Sequence, residues 1–138
     1  MIEISPVLTF SGNCEEAFKF YKAVFNSEYQ FIYRYKDVDP TTPAEYQEKI
    51  MHISLPLMKN VNLMGTDDPD KTNTKEGIVS IGIRLNNKEE TFELFNKLSD
   101  NGKVITPLSK VFYADYYGMV IDKFGVFWSF NCNIGREM

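Results

Sequence analysis

Cysteine is scarce in this chain. Cys14 and Cys132 are the only two among 138 residues, and they form no Cys-x-x-Cys pair. Two thiols cannot build a disulfide framework, so free thiols in a reducing compartment are expected. Long apolar runs are also missing. The stretch from Ile50 to Leu57 is broken by His52, Ser54 and Pro56, whereas a membrane-spanning helix requires roughly 20 apolar residues. The opening Met1-Ile2-Glu3-Ile4 has no basic flank, apolar core or small-residue cleavage site. No secretion signal is read there, and the cytoplasm is the expected location. Basic runs are absent as well. A net charge of −4, from 19 acidic and 15 basic residues, gives no pull toward nucleic acid or an anionic membrane. A small-molecule or protein partner is favoured.

What is present suits one globular domain spanning residues 1–138: 43% hydrophobic content is enough for a sizeable core. Two polar stretches, Lys36 to Lys49 and Thr66 to Gly77, carry the Pro, Gly, Asp and Thr signals of loops. On either side of the second, one phrase recurs. Asn13-Cys14-Glu15-Glu16-Ala17-Phe18 is echoed by Asn87-Lys88-Glu89-Glu90-Thr91-Phe92. Each phrase predicts a helix start, with Asn accepting from a first-turn amide and the Glu three residues on reaching back. Phe18, Tyr21 and Phe25, then Phe92, Phe95 and Leu98, recur at helical spacing and predict one apolar face on each helix.

An alternating strand precedes each helix, Ile4 to Ser11 and Ile78 to Leu85. Three more follow each: Tyr29 to Tyr35, Lys49 to Leu55 and Asn60 to Thr66, then Lys103 to Thr106, Tyr116 to Asp122 and Val126 to Cys132. The expected fold is α+β, with two βαβββ modules at about 1–66 and 78–138. Neither module covers both faces of its sheet, so the two are expected to pair into a curved, cup-shaped mixed sheet with helices outside. Exposed strand edges favour a homodimer.

Ser5-Pro6-Val7-Leu8-Thr9-Phe10-Ser11-Gly12-Asn13, the helix phrase through Val24-Phe25, Met51-His52, Leu63-Met64-x-x-Asp67, and Tyr117-Gly118-Met119-Val120-x-Asp122-x-Phe124-Gly125-Val126-x-Trp128 together resemble the PhnB-like branch of the vicinal oxygen chelate superfamily, which includes glyoxalases and bleomycin-resistance proteins. The family usually has Trp-Gly where this chain has Tyr113-Ala114. The resemblance implies paired βαβββ modules, usually a homodimer, and a cup for a ligand or divalent metal. In metal-using relatives a His, Gln or Glu early in each first strand and a Glu in each last strand point into the cup. Aligning the motifs puts Pro6, Met64, Ser80 and Ser129 at those positions. None is a usual ligand for a divalent ion, so no metal and no other cofactor are expected.

Strand alternation then names the side chains expected to line the cup. Pro6, Leu8 and Phe10 form one set, and Ser80, Gly82 and Arg84 a second. Phe127, Ser129 and Asn131 form a third, and His52 and Ser54 stand beside Asn62 and Met64. Such a mixture of apolar and polar groups suits a small-molecule pocket. His52, the only histidine, reads either as a ligand donor or general base, or as a half-buried imidazole bonded within the sheet. Arg84 reads as the holder of an anionic ligand or as a snorkelling arm. Tyr113, Tyr116 and Tyr117, with Asp115, read as an aromatic loop at the rim of the cup or at a dimer interface. Trp128 and Phe130 are expected under the helices. Asp67, with Asp68 and Asp70, reads as a solvated turn, since the rest of a calcium loop is missing. Cys14 sits in a helix first turn that would lower its pKa, and reads as a spectator thiol.

Three functions compete: a metal-free small-molecule-binding protein, an enzyme such as a glyoxalase-like lyase or isomerase acting in the cup, metal-assisted through His52 or by acid-base chemistry, and an interaction protein with a filled cup. The family's demethylubiquinone methyltransferase label finds no Gly-x-Gly turn here, and no Walker A loop occurs either.

Overall fold

The computed structural model describes residues 5–58, 61–68 and 79–137. The chain divides into two compact units, Met1–Thr74 and Lys75–Met138. The first holds strand β1 (Val7–Phe10), helix α1 (Cys14–Phe25), β2 (Phe31–Arg34), a helical turn α2 (Tyr35–Val38), a 3-10 turn at Ala44–Tyr46, β3 (Ile50–Met58) and β4 (Val61–Asp67). The second holds β5 (Ile81–Leu85), α3 (Lys88–Ser99), β6 (Lys103–Val111), β7 (Ala114–Ile121) and β8 (Phe127–Cys132). Each unit has a four-stranded mixed sheet, in the orders β1-β4-β3-β2 and β5-β8-β7-β6. The first strand runs parallel to the last, and the other neighbours are antiparallel. This is the α+β architecture of two βαβββ units that the sequence predicts. No described helix is long and apolar enough to cross a membrane.

Each helix buries the face its spacing predicts. In α1, Cys14, Ala17, Phe18, Tyr21 and Val24 are buried, and Phe10, Phe18 and Tyr21 pack edge to face at 6.4 and 5.6 Å. In α3 the buried residues are Thr91, Phe95 and Leu98, and Phe95 meets Phe130 at 5.4 Å. A glycine lets each helix approach its sheet. A Cβ at Gly65 would collide with the Phe18 ring and lie 3.0 Å from Cys14 Sγ, and one at Gly118 would lie 2.8 Å from the Phe95 ring. These two glycines also identify the helix-facing rows. Gly65 pairs with Leu8 and Ile53, and Gly118 with Phe130, which pairs with Ile83. Trp128, Phe130 and Cys132 are fully buried on the helix side.

The two helices begin differently despite their shared phrase. Asn87 is extended and its side chain accepts from Glu90 N at 2.8 Å, as predicted. Asn13 makes no such bond. Its task passes to Asp67, at the end of β4, whose Oδ1 accepts from Gly12 N (2.9 Å) and Cys14 N (3.0 Å) and whose Oδ2 accepts from Ile50 N (3.0 Å). Asp67 is 1% exposed, so the solvated turn expected of it is corrected: a buried carboxylate persists where several donors satisfy it. Cys14 is corrected too. Burial, then the nearby Asp67 and Glu15 carboxylates, push its thiol pKa far up rather than down.

Strand boundaries also move. β3 continues through Pro56 to Met58 instead of turning there. Proline is tolerated because the paired part of β2 stops opposite Ser54, and no bond to β2 is needed from residue 56. The β3–β4 register places Ser54 opposite Met64 and Pro56 opposite Asn62. The polar Lys36 to Lys49 stretch contains α2, whose start is held by Arg34 N donating to Asp37 Oδ2 (2.9 Å). Most of the Thr66 to Gly77 loop, together with Asp70, lies outside the described residues.

Candidate sites on the helix-distal sheet faces

Residues one step out of phase with the helix-facing rows form the distal face of each sheet. In the first unit this face carries Met64 and its partners Val7 on β1 and Ser54 on β3. Ser54 in turn pairs with Phe31, and His52 with Tyr33. Phe31 links these rows, lying 5.0 Å edge-on to His52 and 5.2 Å from Tyr33. The imidazole thus sits in an aromatic frame. Beside it, the hydroxyl of fully buried Ser54 donates to Gln30 Oε1 (3.0 Å), and Asn62 Nδ2 donates to the same oxygen (3.3 Å). His52, Ser54, Asn62 and Met64 are therefore brought onto one surface. Phe31 and Tyr33 were missed, although Phe-Ile-Tyr-Arg at 31–34 alternates in a way that puts its two aromatics on one face.

In the second unit the distal face carries Arg84 opposite Asn131 opposite Tyr117, and beside them Gly82 opposite Ser129 opposite Met119. Phe127 lies opposite Ile121 on the same face. Ser80 has the phase of Gly82 but precedes β5 and is exposed. Tyr113 stands at the β6–β7 turn, 5.7 Å edge-on to Tyr117. The predicted loop is largely strand, since β7 starts at Ala114.

The predicted β1 set of Pro6, Leu8 and Phe10, and Tyr116 on β7, have the helix-facing phase instead. Phe10 packs on Phe18 of α1, and Tyr116 packs on Phe92 of α3 at 5.1 Å, with Lys88 Nζ 5.7 Å from its ring. The cause at Phe10 is one extra residue between β1 and α1, where Gly12 adopts φ +123°. An alignment anchored on the helices therefore transfers the wrong strand phase to β1. Val7 and Thr9, not Leu8 and Phe10, have the distal phase. At Tyr116 the cause is strand alternation, which separates it from Tyr117.

Of the four positions that the resemblance implies for metal ligands, Pro6, Met64, Ser80 and Ser129, Met64 pairs with Val7 in one unit and Ser129 with Gly82 in the other, while Pro6 and Ser80 precede their strands. These residues do not fit a divalent ion, which needs imidazole or carboxylate donors. Among the described residues no three His, Cys, Asp or Glu side chains come together as a metal site requires. The first unit also has a cleft of about 540 Å³ lined by Ser11, Gly12, Asn13, Glu45, Tyr46 and Lys49. Lys49 Nζ there donates to Gly12 O at 2.9 Å.

Mixed β1-β4-β3-β2 and β5-β8-β7-β6 sheets, each behind one helix, define a vicinal oxygen chelate protein of the PhnB-like branch. The family model described as 3-demethylubiquinone-9 3-methyltransferase matches residues 2–130, and the chain belongs to this family. It is 33% identical to protein PA1353 from Pseudomonas aeruginosa, whose crystal structure superposes with a TM-score of 0.85 over 97% of this chain and 99% of that one. A Bacillus cereus structure described as a putative 3-demethylubiquinone-9 3-methyltransferase, PhnB protein, is 26% identical, with a TM-score of 0.78 over 95% and 99% of the two chains. Protein YjdN of Escherichia coli (strain K12) is 27% identical over 137 residues, 93% of each chain.

Proposed function

We propose that the protein binds a small organic molecule on its helix-distal sheet faces, without a resident divalent metal, and works as a homodimer in the cytoplasm. The observation that carries this reading is the setting of His52. An imidazole edged by Phe31 and opposite Tyr33, next to hydrogen-bonded Ser54 and Asn62, combines flat apolar contact with polar groups that fix orientation, as ligand sites do. The metal-free part is supported by the donor set at Val7, Met64, Gly82 and Ser129. The dimer is supported by the edge strand β6, which exposes Val104 and Ile105 and ends beside Phe112, itself 99% exposed.

Methyl transfer, the activity in the family's description, is not part of this reading. The β1–α1 connection, Ser11-Gly12-Asn13, has a single glycine, and the amides of Gly12 and Cys14 already donate to Asp67. The test is native mass spectrometry of protein purified without chelator, with elemental analysis of the same sample. The expected result is a dimer without stoichiometric metal that carries a co-purified small molecule, or takes one up on screening. About one metal per chain, lost in His52→Ala, would overturn the metal-free reading and make a metal-assisted enzyme the better one.

A further inference from the structure

The second unit's distal face holds two hydrogen-bond donors that the fold itself leaves unused. Arg84, on β5, lies directly opposite Asn131, on the adjacent β8. Its neighbours Ile83 and Leu85 are buried on the helix side, so the guanidinium leaves the opposite surface. Arg84 is exposed and has no ion pair or hydrogen bond among the described residues. The Asn131 amide is oriented by a relay: Asn131 Oδ1 accepts from Asn133 Nδ2 (3.2 Å), and Asn133 Oδ1 accepts from Asp115 N (3.3 Å). Its oxygen is thereby engaged, and its NH2 group, on the residue paired with Arg84, has no acceptor among the described residues. The one acid sharing the Tyr117 phase on β7, Asp115, is itself engaged, accepting from Ile134 N at 2.9 Å. Two adjacent donors, one of them cationic, call for an anionic acceptor. Tyr117 opposite Asn131, with Tyr113 edge-on to it, supplies an aromatic wall. Gly82, where even a Cβ would meet nothing closer than Ser129 Oγ at 3.4 Å, leaves the neighbouring row low.

Resting on the small-molecule reading above, we infer that this surface is an anion subsite whose ligand is an aromatic carboxylate, held by Arg84 and Asn131 with its ring against Tyr117. The planar guanidinium fork matches a carboxylate, and a flat ring suits a wall of tyrosines beside a glycine.

Benzoate and its neutral isostere benzamide, titrated into the whole protein by calorimetry and by following Trp128 fluorescence, test this. Benzoate is expected to bind about tenfold or more tightly than benzamide. Arg84→Met should abolish that preference, costing benzoate about tenfold or more in affinity and benzamide less. Arg84→Lys should recover part of it, since it keeps the charge and loses the fork. Because Arg84 is exposed and unbonded, the urea midpoint of the variants should match wild type. Equal binding of the two probes would overturn the anion subsite while leaving the small-molecule reading intact. A benzoate preference that survives Arg84→Met would remove Arg84 from it. Binding of neither probe at 10-millimolar levels, on the order of the weakest interaction worth assigning, would overturn the aromatic-carboxylate assignment, and the mass-spectrometric test would still judge the broader reading.

Discussion

The two units share a helix phrase and a strand order but hold their helices by different means. In the second, Asn87 caps α3 from within the phrase. In the first, the equivalent Asn13 does no capping, and Asp67 reaches in from the far end of the last strand to take amides of Gly12 and Cys14, and of Ile50 on β3. A local cap ties a helix only to itself. The Asp67 carboxylate ties α1, β3 and β4 together in one buried cluster. The difference starts with Gly12, the extra residue whose positive φ turns the chain so that the amides of Gly12 and Cys14 converge on one carboxylate oxygen. The second unit also buries an aspartate, but Asp122 serves its own hairpin, accepting from Phe124 N and Val126 N and from Trp128 Nε1 at 2.9 to 3.0 Å.

The sharpest way to break this comparison is Asp67→Ala. Three amides, those of Cys14 and Ile50 buried and that of Gly12 half-buried, lose their acceptor, and urea unfolding followed through Trp128 and circular dichroism should show a loss of roughly 3 kcal/mol or more. A loss no larger than that of an ordinary exposed cap would sink the cluster's role. Next come the two glycines beneath the helices. Gly65 and Gly118 stand on the same rung of their sheets but on different strands, with Ile53 and Phe130 as the respective bulky partners. Gly65→Ala and Gly118→Ala should each cost about 1–3 kcal/mol by overpacking against Phe18 and Phe95; a neutral result at either would show that its helix can shift. Smaller again is the cap contrast itself. Asn87→Ala should cost about 1 kcal/mol, while Asn13→Ala should stay within about 0.5 kcal/mol, although the sequence phrase treats the two alike.

The smallest effect concerns Glu15, whose counterpart in the second phrase is Glu89. Arg34 forks onto Glu15 at 3.0 and 2.7 Å, and this hydrogen bonding is the main reason the Glu15 pKa falls below 4.5. A depressed folded-state pKa contributes stability above the unfolded value that is lost as pH falls through the folded one. The pair should therefore weaken from about pH 4.5 downward. Glu15 is 37% exposed, so solvent screening holds the effect below about 1 kcal/mol. Arg34→Met should flatten that part of the stability curve, measured from pH 6 to about pH 3. An unchanged acid limb would assign it to other carboxylates.

Much of this was legible in the residues. The repeated phrase located both helices, and alternation located all eight strands, because amphipathic periodicity is a local consequence of one buried face. The phase of β1 was not legible. A single inserted residue leaves the helix signal unchanged while inverting every side chain of a period-two strand, which is why Phe10 belongs to the core and Val7 and Thr9 to the distal face. Tyr116 and Tyr117 look equivalent in sequence, yet only one reaches the surface that holds Arg84. Asp67 carried the signal of a solvated acidic turn, and nothing in its neighbours revealed three amides converging from residues 12, 14 and 50.

By itself, then, the sequence determined the two βαβββ units and the amphipathic helices, both of which depend on residue type and short-range period. Tertiary structure alone decided which carboxylate caps α1, which aromatics frame His52, and that Arg84 and Asn131 stand side by side. Those are pairings between residues far apart in the chain, fixed by strand register and by whether a buried donor finds an acceptor.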